Sequence, residues 1–364
     1  MAVKALKRTW SGSLVVGRLP EGCSLCMRGE KLVLFVTGLC AKRCYYCPLS
    51  SEKRGRDVVF ANERPVASDE DVLSEAREMD AKGTGLTGGD PLLKPQRTLH
   101  YVKLLKEVFG PNHHVHLYTT TGKHVDREVL RRLAEAGLDE IRFHPDLASP
   151  IGLERIRWAS DEGITTGLEV PAVPGMEEAL KRLLIEAERL GASFVNINEL
   201  EMNDENYFQL RLRGFKIKEG SLSGVEGSEE LALKLLEWAE NELSLNVHYC
   251  PSFIKDAYQY RNRLRRKAAR LAKAYEEVTS EGLLRKGIVE SPSLERLHGL
   301  KEALIKLGVD SKLAFLDSSR RVLELPVKVL EEAKRLGLLK DMEAYIVEEY
   351  PSFDRREASK TPLN

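Results

Sequence analysis

Lys31-Leu32-Val33-Leu34-Phe35-Val36-Thr37 runs directly into Gly38-Leu39-Cys40-Ala41-Lys42-Arg43-Cys44-Tyr45-Tyr46-Cys47-Pro48. The first seven residues are rich in β-formers around the apolar run Leu32 to Val36, the pattern of a buried strand. Three cysteines follow in the loop that leaves it. Downstream, short apolar runs alternate with helical patterns. Residues 68–82 read as helix, with Ser68 as N-cap and Asp69, Glu70 and Asp71 in the first turn. Residues 84–87 read as strand, 95–109 helix, 113–119 strand, 126–136 helix, 140–143 strand, 153–162 helix, 165–170 strand, 176–190 helix and 192–197 strand. Gly137, Gly163 and Gly191 close three of these helices. Strand, crossover helix, strand is the signature of parallel βαβ units. Six strands predict an α/β fold, a partial (β/α)6 TIM-like barrel, because a complete barrel takes about 250 residues. In such folds the loops after the strands' carboxyl ends carry the chemistry.

Outward from this block the pattern changes. Residues 1–30 form an N-terminal segment with a Cys-x2-Cys metal knuckle, and 31–205 the barrel. Residues 206–290 read as a linker and basic helical region, with helix at 229–243, a short strand at 246–250 and a long basic helix over about 254–279. Residues 291–364 read as a small C-terminal α/β appendage, with helices at 294–307 and 327–336 and strands at 314–316 and 344–348. Its tail, 354–364, is polar and expected to fray. No internal repeat or low-complexity tract stands out.

The 364 residues hold 56 Lys plus Arg and 56 Asp plus Glu, a formal net charge of zero. Nucleic-acid contact must therefore come from a local patch and not from bulk charge. Charged residues at 31% and aromatics at 7% exclude collagen, low-complexity disorder and a membrane bundle. The best apolar run, Leu32 to Val36, is far short of the ~20 residues that span a bilayer. The basic N-terminus (Lys4, Lys7, Arg8) meets Trp10-Ser11-Gly12-Ser13 where a signal peptide would continue apolar, so a cytoplasmic protein is expected. Clustered cysteines there bind metal or do chemistry more often than they form disulfides.

Cys40-x3-Cys44-x2-Cys47 is the strongest such cluster. Three thiolates on a short loop can hold three irons of a [4Fe–4S] cube and leave the fourth iron open to react. Lys42 and Arg43 offset an anionic cluster. Zinc favours Cys-x2-Cys pairs and four ligands, and fits this spacing poorly. The loop, with aromatic Tyr46 before its last cysteine, resembles the hallmark of the radical S-adenosylmethionine superfamily. The family's second hallmark is a Gly-Gly-acid-Pro stretch after the second strand, and Gly88-Gly89-Asp90-Pro91 stands there, with Asp where Glu is more usual. The resemblance covers about residues 31–205. It extends to archaeal relatives of pyruvate formate-lyase activating enzyme, in the cysteine layout and around residues 260–266.

The resemblance implies a [4Fe–4S] cluster on Cys40, Cys44 and Cys47, with S-adenosylmethionine chelating the open iron. Reductive cleavage would give a 5′-deoxyadenosyl radical that takes hydrogen from substrate. Asp90, or the backbone carbonyls of Gly88 and Gly89, would accept from the cofactor's ammonium beside Pro91, and Tyr46 would lie near the adenine. Strand ends four to six offer His144, Glu169 and Asn198 or Glu199 as further cofactor contacts. An electron donor of the reduced ferredoxin or flavodoxin type is implied.

Cys23, Cys26, His248 and Cys250 remain. His248 and Cys250 share one face of a strand by its two-residue period. The four make a Cys3His set for structural zinc, or hold an auxiliary iron–sulfur cluster through three cysteines. An antiparallel strand would bring His248 and Cys250 to the Cys26 end. Residues 261–273 carry seven basic residues and no acid. That helix reads either as a solvated face or as a contact for RNA or a protein substrate. A glycyl-radical activase would need a partner protein; an RNA- or peptide-modifying enzyme would use the basic helix. The competing class is a non-catalytic iron–sulfur or zinc protein for electron transfer or assembly.

Overall fold

The computed structural model describes residues 4–363. Two compact units divide the chain: residues 1–77 with 81–260, and residues 78–80 with 261–364. The division falls inside the 206–290 stretch, which does not behave as one piece.

In the first unit, the antiparallel strands β1 (Leu6–Arg8) and β2 (Leu14–Val16) lead to helix α1 (Glu21–Met27). Then come β3 (Lys31–Thr37), the hairpin β4 (Phe60–Ala61) and β5 (Arg64–Pro65), and α2 (Asp69–Glu78). The regular alternation follows: β6 (Gly83–Gly88), α3 (Pro95–Phe109), β7 (His114–Thr120), α4 (Arg127–Glu135), β8 (Glu140–His144), α5 (Glu154–Asp161), β9 (Thr165–Ala172), α6 (Glu177–Arg189) and β10 (Phe194–Glu199). The unit finishes with α7 (Tyr207–Leu212), α8 (Ser228–Glu242) and β11 (Asn246–Cys250). Local chemistry sets the helix ends: Asp126 caps α4 by accepting from the Val129 amide at 2.9 Å. Gly191 turns the chain after α6 at φ 92°, where a side chain would be strained.

All these strands join one open sheet in the order β1-β2-β11-β10-β9-β8-β7-β6-β3-β4-β5. The six strands expected in residues 31–205 are present, and a seventh extends the parallel run. Six parallel pairings join seven strands, from β3 through β11. The seventh strand, β11, was legible as a strand but not as a continuation, because the irregular residues between β10 and α8 mask the βαβ period. The ends are covered by short antiparallel strands, β2 on β11 and β4 on β3, and the sheet does not close.

The parallel strands β7 to β11 alternate between two faces. Val115 and Leu117, Ile141 and Phe143, Leu168 and Val170, Val195 and Ile197 are buried apolar positions. The intervening residues turn a polar set to the other face: His114, His116, Glu140, Arg142, His144, Glu169, Asn196, Asn198 and His248. Helix α1 lies against this polar face. A Cβ at Gly22 would stand 3.0 Å from both Glu140 and His116.

In the second unit, a basic helix α9 (Arg261–Leu271) precedes a six-stranded antiparallel sheet. Its strands are β12 (Glu277–Val278), β13 (Leu284–Glu290), β14 (Phe315–Asp317), β15 (Val322–Leu325), β16 (Glu343–Glu349) and β17 (Glu357–Pro362). Helices α10 (Leu294–Lys306) and α11 (Val327–Arg335) accompany it. The single long helix expected over 254–279 is broken: a π-helical turn, Lys255–Tyr260, precedes α9. Its basic face is not simply solvated. Lys267 is buried against Glu78 at 3.0 Å, and Arg266 holds the Asp80 carboxylate at 3.0 Å and the Met79 carbonyl at 3.2 Å. Arg261 lies 3.9 Å from Glu281.

Two corrections concern the second unit. Strand β13 escaped notice because it reads Leu-Arg-Lys-Gly-Ile-Val-Glu; its Lys286 is buried between Glu324 at 2.9 Å and Glu349 at 3.1 Å. The tail is not frayed, because β17 pairs antiparallel with β16 through backbone hydrogen bonds that need no apolar side chains. Truncation after residue 356 should therefore speed hydrogen exchange at the β16 amides. The β13 amides, flanked by strands on both sides, should stay protected.

Candidate active site

The cysteine loop leaves the carboxyl end of β3 and is fastened on two sides. On one side, Gly89 N–H donates to the Thr37 carbonyl at 2.8 Å and Asp90 N–H to the Leu39 carbonyl at 2.7 Å. A Cβ at Gly88 would collide with the Thr37 carbonyl oxygen, and one at Gly89 with that of Leu39. Both glycines are required by contact, and Gly88, at φ 149°, by conformation as well. On the other side, residues 203–213 brace the loop. Asn203 donates to the Pro48 carbonyl and Asn206 to the Tyr46 carbonyl, each at 3.1 Å, and Arg213 stacks 4.4 Å over the Tyr45 ring. Nothing in the local sequence points these residues at the loop; only the chain's return past β10 puts them there.

Cys40, Cys44 and Cys47 line one cavity of about 630 Å³ together with Gly88, Gly89, Tyr45, Gln209 and Arg213. Burial pushes the Cys40 and Cys44 thiols up from their ordinary pKa. Such thiols ionise when a metal takes the proton's place. Three thiols, a glycine-floored wall and the adjoining Lys42 and Arg43 fit an anionic iron–sulfur cluster.

His144 lies beside this loop. Its Nδ1–H donates to the Glu169 carbonyl at 2.8 Å, which leaves Nε2 to accept from the Tyr46 hydroxyl at 3.0 Å; Cys44 Sγ is 4.0 Å away. Burial lowers its pKa, so the ring is neutral. Lys42 Nζ donates to the His144 carbonyl at 3.0 Å. Tyr46 is thus spent on positioning His144, while Tyr45, which the motif did not single out, is the aromatic on the cavity wall.

Asp90 departs from expectation. It is fully buried and its carboxylate is consumed within the protein. It accepts from Thr119 Oγ1 at 2.7 Å, Thr120 Oγ1 at 2.6 Å, His124 Nε2 at 2.8 Å and the Leu92 amide at 3.1 Å. Burial alone would raise its pKa; the His124 and Thr120 hydrogen bonds outweigh this and leave it below the ordinary value. Asp90 is a tie between the ends of β6 and β7, Pro91 next to it is buried, and Gly88 and Gly89 are what line the cavity.

Glu169 and Asn198 lie deeper. Glu169 Oε1 accepts from Asn196 at 2.6 Å and Asn198 at 2.7 Å, and Oε2 from Arg142 at 2.9 Å. They line a second, inner cavity of about 130 Å³, which Cys23, Cys26, His248 and Cys250 share. The four expected second-site residues therefore meet at one cavity but do not form a ligand cage. Buried His248 donates from Nδ1 to Asn196 Oδ1 and accepts at Nε2 from Ser13 at 3.0 Å, so both ring nitrogens are taken. Cys23 accepts from Arg142 at 3.2 Å, and burial pushes its thiol up to about 12. The anticipated antiparallel strand is also absent: β11 runs parallel to β10, with Cys250 at its carboxyl end.

A model of the radical SAM superfamily matches residues 34–170. A Methanocaldococcus jannaschii protein provisionally named a glycyl-radical enzyme activating enzyme is 41% identical over 359 residues, 95% of this chain and 93% of its own. The chain belongs to the radical SAM superfamily and is a radical SAM enzyme, similar to that archaeal protein along nearly its whole length. Membership implies a [4Fe–4S] cluster and S-adenosylmethionine. Among solved structures, Streptococcus suis SuiB bound to S-adenosylmethionine aligns at 12% identity and a TM-score of 0.44, over 63% of this chain and 52% of SuiB. SuiB bound to its precursor peptide aligns at 11% and 0.45, over 72% and 61%. No helix among the described residues is long and apolar enough to cross a membrane.

The Asp90 tie predicts an acid-sensitive stability. Its folded pKa lies below the ordinary ~3.9 of the unfolded chain, so its contribution is complete above about pH 5 and fades as pH falls through the folded value. Asp90→Asn should cost about 2 kcal/mol at pH 7, from lost charge-assisted hydrogen bonds. The gap from the wild type should narrow progressively as pH falls below about 4, read by denaturant titration at each pH.

Proposed function

We propose that this protein generates a radical on a partner protein, as a glycyl-radical enzyme activase, from a site built on Cys40, Cys44 and Cys47. The observation that carries this reading is the 41% identity to the archaeal protein of that name across 95% of the chain. In this reading the open sheet is the curved frame of a partial barrel, and its carboxyl-end mouth is the reaction chamber.

The three thiolates would hold three irons of the cluster, which with S-adenosylmethionine would supply the hydrogen-abstracting chemistry of the superfamily. The chain's own residues do the rest. The carbonyls of Gly88 and Gly89, at the cavity wall, would accept from the cofactor's ammonium. Lys42 and Arg43 balance the cluster's negative charge. His144, locked by Glu169 and Tyr46, holds a fixed neutral imidazole beside Cys44. Glu169 and Asn198 form the polar floor beneath.

A protein substrate is supported by the surface around the mouth. Helix α7, whose Gln209 lines the cavity, leaves Tyr207, Phe208 and Leu212 50%, 68% and 65% exposed. Apolar side chains exposed together beside a reactive cavity suit a protein partner. RNA is less well supported, because Arg266 and Lys267 of the basic helix are already matched by acids. The electron would come from a reduced ferredoxin or flavodoxin type of donor, drawn to Arg43 and Arg54 at the same rim.

Anaerobically reconstituted, dithionite-reduced protein should release 5′-deoxyadenosine from S-adenosylmethionine, and Cys44→Ala should reduce release to background. With a glycyl-radical enzyme of the pyruvate formate-lyase type added, an electron paramagnetic resonance doublet should grow, about one radical per 5′-deoxyadenosine. Brisk 5′-deoxyadenosine release with no protein radical, together with salt-dependent tRNA binding, would overturn the activase reading and favour RNA.

A further inference from the structure

We propose that His114, His116 and Glu140 form a divalent-metal site of the zinc type at the amino ends of the strands, on the opposite end of the sheet from the cysteine loop. His114 and His116 are two apart on β7 and project from the same face. The β7–β8 register sets Glu140 directly opposite His116. One ligand atom from each of the three lies within 4.8 Å of the other two.

Three further observations point to a ligand. His116 is wholly buried, yet neither ring nitrogen has a hydrogen-bond partner, and the same holds for His114 Nε2. Buried polar atoms are rarely left so, and each calls for an ion or water. Gly85 gives the His116 ring its room, since a Cβ there would lie 2.7 Å from Nε2. Finally, His114 and Glu140 form part of the wall of a cavity of about 600 Å³, which gives an ion a way in.

The donor set names the ion class. Two imidazoles and one carboxylate are a borderline nitrogen–oxygen set that suits Zn²⁺, with a fourth position left for water. Zn²⁺ ligands at ~2.0–2.1 Å across a tetrahedral angle are roughly 3.4 Å apart. His114 Nε2 and Glu140 Oε2 already stand 3.6 Å apart. Arg142 occupies the other oxygen, Oε1, at 2.6 Å, so Oε2 is the one turned to the metal. That is the outer-shell support that metal carboxylates ordinarily have.

The test is a Co²⁺ titration of the anaerobic holoenzyme, followed by visible absorption and competed with Zn²⁺. One Co²⁺ per chain should bind without thiolate-to-cobalt charge-transfer absorption. His116→Gln should weaken it more than ~100-fold, beyond the 10–100-fold expected for losing an outer-shell partner. His114→Asn, at a partly exposed position, should do the same if His116→Gln fails to fold. Iron content and 5′-deoxyadenosine release should not change in His114→Asn. Three outcomes would overturn the site: no Co²⁺ uptake by the wild type, uptake unchanged in both histidine variants, or charge-transfer absorption abolished by C23S/C26S/C250S alone. The last would move the metal to the thiols.

Discussion

Two backbone hydrogen bonds, Gly89 to Thr37 and Asp90 to Leu39, govern the reactive end of this protein. They join the first turn after β6 to the first turn after β3, where the cysteine loop begins. Glycine at 88 and 89 is what allows the approach, and any side chain would push the two turns apart. Asp90 then carries the tie on to β7 through Thr119, Thr120 and His124. Three successive strand ends are so locked into one rigid rim. The loop that carries three thiols inherits that rigidity, as a site needing fixed ligand geometry requires.

The same logic extends inward. A parallel sheet buried on both faces is ordinarily apolar on both. Here one face carries imidazoles, carboxylates, amides and a guanidinium. Burying them would be costly unless they satisfied one another. Arg142 is the hub, bonded to Glu140, Glu169 and Cys23. Glu169 in turn orients Asn196, Asn198 and His144. Polar order thus runs from Glu140 at the strands' amino ends to His144 beside Cys44.

The second unit is stabilised differently. Its core is a small apolar cluster of Val289, Leu297, Leu300, Leu323 and Leu330, with Lys286 buried among three carboxylates. Such an ion cluster is a weak source of net stability but punishes mispairing, because any slip of β13 would leave a buried charge alone. That suits a sheet whose outermost strand, β17, is fully exposed and polar.

Much of this was legible in the chain itself. Period and punctuation marked the alternating strands and helices of residues 31–199, and the spacing Cys40-x3-Cys44-x2-Cys47 with Gly88-Gly89-Asp90-Pro91 marked the reactive end. Those features are local: a strand's alternation, a glycine that closes a helix and a thiol loop are written in a few adjacent residues. What each polar residue does was decided only by the fold. Asp90 became a tie because β7 delivers two threonines to it, and His248 became a sheet residue because Asn196 and Ser13 take both its nitrogens. Tyr45 faces the cavity and Tyr46 does not because residues 203–213 return to clamp the loop. Strand β11 extended the parallel sheet, and β17 closed an exposed edge, through backbone pairing that side chains do not advertise. Sequence determined which chemistry was present; long-range contact, which no local pattern encodes, determined which of it was free to act.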